Sequence, residues 1–144
     1  MTPDTDERPW AILVDIDGTV ALLADRRPHD WERVGEDLPN SGVITVVRAM
    51  HRAGTAIIFC TARDESCRDR TERWLAEFVG VSYHALYLRP AGDSRPDTEV
   101  KREIFERDIR DYWRIAAVFE DRDQVVRMWR EQGLTVFQVA DGDF

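Results

Sequence analysis

The stretch "ILVDIDGTVALL" at residues 12–23 places two aspartates and a glycine at the end of an apolar run. The run is continuous rather than alternating, which is typical of a strand buried on both faces. Asp15 and Asp17 follow where this strand ends, and two carboxylates at the edge of a core repel each other unless a cation or a shared proton is present. Asp-Gly is also a common turn, so a turn cap is the alternative.

Further apolar runs alternate with helical patterns along the chain. Strands are predicted at 10–16, 55–60, 85–89, 115–120 and 134–139, and helices at 41–53, 65–79, 98–113 and 123–132. This alternation predicts an α/β fold, a three-layer α/β/α Rossmann-like parallel sheet of about five strands. Residues 1–144 are expected to form one domain, and residues 17–40 form the longest segment without a predicted element.

Composition narrows the class of protein. The formal net charge is −8, which argues against a general nucleic-acid coat but leaves room for a local basic cleft. No apolar run has the length of a membrane helix, and the polar start "MTPDTDERPW" is no signal peptide. Cys60 and Cys67 fit no metal-binding spacing. A cytoplasmic protein without membrane association is predicted.

The side chains suited to catalysis or ligand binding lie at the predicted ends of the strands. Ligands of such sheets bind beyond the carboxyl ends of the strands. The residues expected there are Asp15, Asp17, Thr61, Arg89, Glu120 and Asp121. The acidic groups suit a hard cation such as Mg²⁺. Thr61 and Arg63 offer a hydroxyl and a guanidinium to phosphate oxygens, although a helix cap and a solvated arginine are the alternatives.

Lys101 is unusual because 19 of the 20 basic residues are arginines. A compact ammonium at this position predicts a group that holds a carboxylate and a phosphoryl group together, with a surface lysine as the alternative. Trp31 lies in the segment without a predicted element and is a candidate ligand contact. Arg26 and Arg27 either line the mouth of the site or are solvated. The phosphate-binding pattern G-x-x-x-x-G-K-[ST] and the dinucleotide pattern G-x-G-x-x-G are both absent.

The motifs "DIDGT", "FCTAR", "VKREIF" and "FEDRDQVV", in this order, resemble those of the haloacid dehalogenase-like superfamily of phosphotransferases. The resemblance implies that Asp15 is a nucleophile that becomes an aspartyl-phosphate. It implies that Asp17 is the general acid and base and that Mg²⁺ shields the two carboxylates. Small-molecule phosphatases of the superfamily usually carry a cap domain, whereas the segments here are too short to build a large one.

Nearly the whole chain, including "DRDQVVRMWREQGL", is similar to the 3′-phosphatase domain of phage polynucleotide kinase–phosphatase. This resemblance implies catalytic roles for Asp15, Asp17, Thr61 and Lys101, and substrate contacts by Gly18, Arg63, Arg89, Asp97 and Arg122. It implies Mg²⁺ ligands in Asp15, the Asp17 carbonyl, Asp121 and Glu120. Glu120 stands where the family usually has Asp, and Thr61 where the phage domain has Ser.

The expected function is therefore that of a Mg²⁺-dependent polynucleotide 3′-phosphatase acting on DNA or RNA ends, with its activity on 2′,3′-cyclic ends left open. Nucleic-acid 3′ ends are the expected partner, with a kinase or a ligase on a separate chain. Two alternatives remain open at this point. One is a small nucleotide or sugar-phosphate phosphatase with the same chemistry, and the other is an inactive module that binds nucleic-acid ends.

Overall fold

A computed structural model describes residues 5–144 and shows an α/β architecture. In chain order the strands are β1 Trp10–Val14, β2 Ala21–Leu22, β3 Leu38–Pro39, β4 Ala56–Asp64, β5 Ala85–Arg89, β6 Arg114–Glu120 and β7 Val136–Gln138. The helices are α1 Ser41–Arg52, α2 Arg68–Phe78, α3 Asp97–Ile104 and α4 Asp123–Glu131. Five strands form a parallel sheet in the order β5–β4–β1–β6–β7, which confirms the predicted fold class.

Strand β1 lies at the centre of this sheet, where β4 and β6 pair with it on either side. Its side chains alternate between two apolar clusters on opposite faces. Ile12 and Val14 join the cluster that contains Trp74 of α2, and Leu13 joins the cluster that contains Val100 of α3. Both faces of β1 are therefore buried, which explains why its sequence is apolar without interruption.

Several predicted boundaries differ from the structure. Strand β4 continues past the predicted end at residue 60 to Asp64, and its pairing with β5 shifts register between Cys60 and Asp64. Helix α3 ends at Ile104, and one wider π-helical turn, Phe105–Ile109, follows it. Phe105 and Ile109 are both buried in this turn, so core packing sets the end of the regular helix.

The segment between β1 and α1 is more ordered than the sequence predicts. Strands β2 and β3 pair in antiparallel fashion, and the chain between them contains a 3-10 helix, Trp31–Glu36. We call residues 21–39 the flap. Within residues 5–144 no insertion is large enough to form a cap domain, as predicted. The same residues include no helix with the length and apolar character required to cross a membrane.

Candidate active site

The carboxyl ends of the sheet strands border a cleft of about 810 Å³. Its lining includes nearly all of the predicted site residues: Asp15, Asp17, Gly18, Thr61, Arg89, Asp97, Lys101, Glu120, Asp121 and Arg122. The predicted residue outside this lining is Arg63, which is fully buried. The parallel topology thus brings together groups that lie as much as 107 positions apart, the separation between Asp15 and Arg122.

A cluster of three buried carboxylates forms the floor of the cleft. Asp15, Glu120 and Asp121 each place a carboxylate oxygen within 4.8 Å of the others. Burial, reinforced by the charge of Glu120, raises the pKa of Asp15 to about 8. Burial, together with the charge of Asp15, raises the pKa of Asp121 to about 7. Such a set of hard oxygen donors fits a divalent cation, because a cation offsets the repulsion that raises these values.

Lys101 supplies the positive charge of this cluster. Its Nζ donates hydrogen bonds to Asp15 Oδ1 at 2.9 Å and to Glu120 Oε2 at 2.8 Å. Burial alone would lower the pKa of Lys101, but the charges of Asp15 and Glu120 raise it well above its ordinary value. The ammonium therefore stays protonated, and when all three carboxylates are ionised the cluster has two negative charges for a cation or a substrate to balance.

Gly18 occupies the tight turn after β1. Its φ is +77°, a conformation that side chains disfavour, and a Cβ built on it would lie 2.1 Å from Asp121 Oδ2. Asp121 can occupy its place in the cluster because residue 18 has no side chain. The structure thus gives Gly18 a spatial role beside a carboxylate, while the predicted substrate contact stays a prediction.

Asp17 lies apart from the three-carboxylate cluster. Its carboxylate accepts hydrogen bonds from Arg63 Nη2 at 2.9 Å and from Arg26 Nη2 at 3.0 Å. The side chain is still 34% exposed and lines the cleft. Two guanidinium groups thus hold Asp17 at the surface of the cleft, where it is accessible to a proton donor or acceptor.

The two arginines below Asp17 are not where the sequence predicted them. Arg26 and Arg63 are buried, and both also bind the buried carboxylate of Asp37, at 2.7 Å from Arg26 Nε and 2.8 Å from Arg63 Nη2. Arg63 Nη1 donates in addition to Thr71. Because carboxylates occupy these guanidinium groups inside the protein, Arg26 neither lines the mouth nor is solvated. Arg63 lies outside the cleft lining, and its predicted substrate contact stays a prediction. Arg27 is exposed and lies outside the cleft lining.

Sequence reasoning missed the residues that support this arrangement. Asp37 lies in the flap, in a stretch without any recognisable motif, and its contacts depend entirely on how the flap folds back. Thr19 belongs to the "DIDGT" motif, and its hydroxyl donates to Asp15 Oδ2 at 3.1 Å. Its position in that motif, four residues after Asp15, could have indicated this contact.

The remaining predicted contacts lie around the floor. Thr61 is buried at the end of the regular part of β4, and its hydroxyl accepts a hydrogen bond from the Arg63 amide at 3.1 Å. Asp97 accepts from Arg89 at 2.5 Å and from Arg122 at 2.6 Å. Asp97 therefore joins the loop after β5 to the turn after β6.

The parallel sheet, the paired aspartates after its central strand and the buried lysine among carboxylates define a phosphatase of the haloacid dehalogenase-like class. Two solved phosphatases share the fold. The class C acid phosphatase from Bacillus anthracis aligns with a TM-score of 0.61 and 18% identity, over 93% of this chain and 68% of its own. A D,D-heptose 1.7-bisphosphate phosphatase from B. bronchiseptica aligns with a TM-score of 0.61 and 17% identity, over 90% of this chain and 79% of its own.

The chain can be assigned to one family within this class. Residues 9–144 match the family model described as the polynucleotide kinase PNKP phosphatase domain, and the chain belongs to this family. It is accordingly a phosphatase, a hydrolase of phosphoric monoesters.

Two other proteins have a higher sequence identity to the chain than these two phosphatases. A protein of Autographa californica nuclear polyhedrosis virus, described as a bifunctional polynucleotide kinase/RNA ligase, is 37% identical over 141 residues, which cover 96% of this chain and 20% of the viral protein. A chain of the solved Pnkp1/Rnl/Hen1 complex is 37% identical with a TM-score of 0.93, over 98% of this chain and 49% of its own. The chain thus spans half or less of the length of these relatives.

Proposed function

We propose that the chain hydrolyses the terminal 3′-phosphate of a polynucleotide, with RNA ends as its principal substrate, through a phosphoryl group carried by Asp15. The observation that supports this most strongly is the pairing of a buried nucleophile with an accessible second carboxylate. Asp15 lies among Lys101, Glu120 and Asp121, while Asp17 faces the cleft two residues away. Membership of the polynucleotide phosphatase family and the relatives with kinase and ligase functions support the substrate class.

In the first step Asp15 Oδ attacks phosphorus, and the bond between phosphorus and the 3′ oxygen breaks. Asp17 gives its proton to the departing 3′ oxygen, so the products are an aspartyl-phosphate and a free 3′-hydroxyl. In the second step Asp17 takes a proton from water, whose oxygen attacks the phosphorus. Inorganic phosphate leaves, and Asp15 regains its carboxylate.

The residues around the two aspartates serve these steps in different ways. Lys101 remains protonated beside Asp15 and balances the charge that builds up on the phosphoryl oxygens. Arg26 and Arg63 fix the carboxylate of Asp17, so we assign them a positioning role. Thr61 and Arg122 are the groups proposed to contact the phosphate and the nearby backbone.

The acidic floor suits Mg²⁺ as the cofactor. Asp15, Asp121, Glu120 and the Asp17 carbonyl would hold the ion, and its charge would offset that of the carboxylates and of the phosphate oxygens. Glu120 also binds Lys101, so its distance from the ion depends on how it shares its oxygens between the two cations. We further propose that a kinase and a ligase act on the same ends before or after this enzyme.

The test compares phosphate release from three substrates: an oligonucleotide phosphorylated at its 3′ end, the same oligonucleotide phosphorylated at its 5′ end, and a nucleoside monophosphate. Each is assayed with Mg²⁺ and with a chelator. Release that requires Mg²⁺ and is confined to the 3′ end supports the proposal. Faster release from the free nucleotide would favour a small-molecule phosphatase, and equal release from both ends would remove the end specificity.

A further inference from the structure

The two long sides of the cleft differ in chemistry. One side, which we call the apolar wall, consists of flap residues: Leu22, Leu23, Pro28, His29 and Trp31. The opposite side, which we call the polar wall, comprises Arg89, Asp93, Ser94, Arg95, Asp97 and Arg122, with Phe144 beside Arg122. Trp31 packs on the core cluster that contains α2, whereas α3 packs on the other cluster, so the walls rise from opposite faces of the sheet.

The cleft is larger than a phosphate group requires. Its volume of about 810 Å³ falls within the range of roughly 300–1,000 Å³ that is typical of pockets for whole small molecules. A phosphate on Asp15 would leave most of this volume to the group attached to it. In a polynucleotide end, that group is a nucleoside with an aromatic base.

The polar wall has little net positive charge with which to attract a polynucleotide backbone. Arg95 binds Asp93 at 2.7 Å and Glu103 at 2.5 Å. Arg89 and Arg122 share Asp97. Each arginine of this wall is thus already paired with a carboxylate, so attraction to backbone phosphates is a weak source of affinity.

The apolar wall carries a rigid aromatic platform. Trp31 is partly buried against the core, and His29 packs edge-on against its ring at a centroid distance of 5.6 Å. The guanidinium carbon of Arg26 lies 6.0 Å from the Trp31 ring, and Arg26 is fixed by Asp17 and Asp37. The ring therefore loses little entropy on contact with a ligand, and its position is tied to that of the general acid.

We propose that the apolar wall binds the base of the 3′-terminal nucleotide, with Trp31 as the principal specificity-determining contact. This inference rests on the function proposed above. Leu22 and Leu23, which are 40% and 43% exposed, extend the wall at its outer edge. Apolar and aromatic surfaces contact any base through its π-face, so this site selects nucleotide ends over simple phosphate esters without selecting a base sequence.

The test combines a change in the protein with a change in the substrate. Wild-type protein and W31A are assayed for kcat/KM on two 3′-phosphorylated oligonucleotides, one with a normal terminal nucleotide and one with a tetrahydrofuran abasic residue there. Wild-type protein should prefer the substrate with the base by about tenfold, the scale of one base–aromatic stack. W31A should lose most of this preference, and W31F should restore part of it.

Two further variants keep the test independent of folding defects. L23S changes a half-exposed side chain of the wall and should reduce the preference for the base by about threefold, as expected for a partly lost apolar contact. Y112A removes an aromatic side chain that is 63% exposed and lies outside the cleft lining, and it should leave the preference unchanged.

Two results would overturn the inference. Equal losses of W31A on both oligonucleotides would show that Trp31 only supports the flap. Equal kcat/KM of the wild-type protein on both would show that the base is not bound, while the proposed 3′-phosphatase function would stand. No phosphate release from either oligonucleotide, with release from glycerol phosphate, would reject the proposed function and this inference with it.

Discussion

At the scale of single residues, the site depends on a balance of charge among buried groups. Lys101 is 3% exposed and touches both Asp15 and Glu120, whose side chains are 7% and 2% exposed. A buried ion pair adds little net stability when complete, but removal of one partner leaves an unpaired charge in a medium of low polarity. Replacement of Lys101, the sole lysine of the chain, should therefore have the largest effect on stability and activity.

K101M should destabilise the metal-free protein by about 3 kcal/mol, because it leaves two carboxylates without a counter-charge. The double variant K101M/E120Q removes one of these carboxylates as well and should recover part of the loss. Both variants should reduce kcat by at least about a hundredfold, since neither restores the charge next to the phosphoryl group. Chemical denaturation and steady-state kinetics measure the two effects separately.

If K101M unfolds at the wild-type denaturant concentration, the buried charges do not interact as the geometry indicates. If the double variant regains activity along with stability, Lys101 serves folding alone. Either result would contradict the proposed role of its ammonium.

At the scale of elements, the turn after β1 and the flap position the carboxylates of the cleft. The turn depends on Gly18, whose missing side chain makes room for Asp121. G18A should displace Asp121, and Mg²⁺ should then raise the melting temperature far less than in the wild-type protein. Gly133 provides the matched control, because its φ of +83° is as unfavourable for a side chain as that of Gly18, whereas a Cβ at that position meets nothing within 4 Å.

G133A should retain the full response to Mg²⁺ in the same thermal unfolding experiment. A normal Mg²⁺ response of G18A would show that Asp121 either tolerates the added methyl group or takes no part in cation binding. The comparison separates the loss of a glycine as such from the loss of space beside Asp121.

The flap is anchored by Asp37, a fully buried side chain that binds Arg26 and Arg63. D37N removes the charge that these guanidinium groups share with Asp17, and we expect it to destabilise the protein by about 3 kcal/mol. It should also lower kcat, because Asp17 loses its fixed orientation, and limited proteolysis should cut the flap faster.

Asp25 is the matched control for Asp37. It lies in the same segment and pairs with Arg33 at 2.6 Å, but its side chain is 81% exposed. D25N should change stability by no more than about 0.5 kcal/mol, as is usual for surface ion pairs. Equal effects of D25N and D37N would contradict the anchoring role of Asp37.

Much of the element layout could be predicted from the sequence. The apolar run before Asp15 predicted the central strand, because burial on both faces leaves a continuous apolar pattern. The flap could not be predicted, since β2 and β3 are two residues each and too short for any periodicity. The burial of Arg26 and Arg63 was missed for the same reason, because both depend on Asp37 in that flap.

At the scale of the whole molecule, one topological rule accounts for most of the site. In a parallel sheet all strands end at the same edge, so residues distant in sequence meet there. This rule predicted from sequence that Asp15, Thr61 and Asp121 would share a cleft, and the structure places all three in its lining. The rule gives positions but not orientations, and it could not show that Asp17 points toward arginines rather than toward Asp121.

The effect of the net charge on substrate binding depends on where the fold places the charged side chains. The net charge of −8 says little about substrate binding, because the cleft pairs its arginines with carboxylates locally. We therefore propose that substrate recognition depends on the cation site at the floor and on the apolar wall.

The central claim is that Asp15 carries the phosphoryl group during turnover. The most direct measurement is to quench the reaction with a 3′-phosphorylated oligonucleotide in acid, reduce the protein with borohydride, and map the modified residue by mass spectrometry. Borohydride converts an aspartyl-phosphate to homoserine, and we predict homoserine at position 15, formed only in the presence of both substrate and Mg²⁺. Homoserine at another position, or none in a protein that is turning over, would contradict the account.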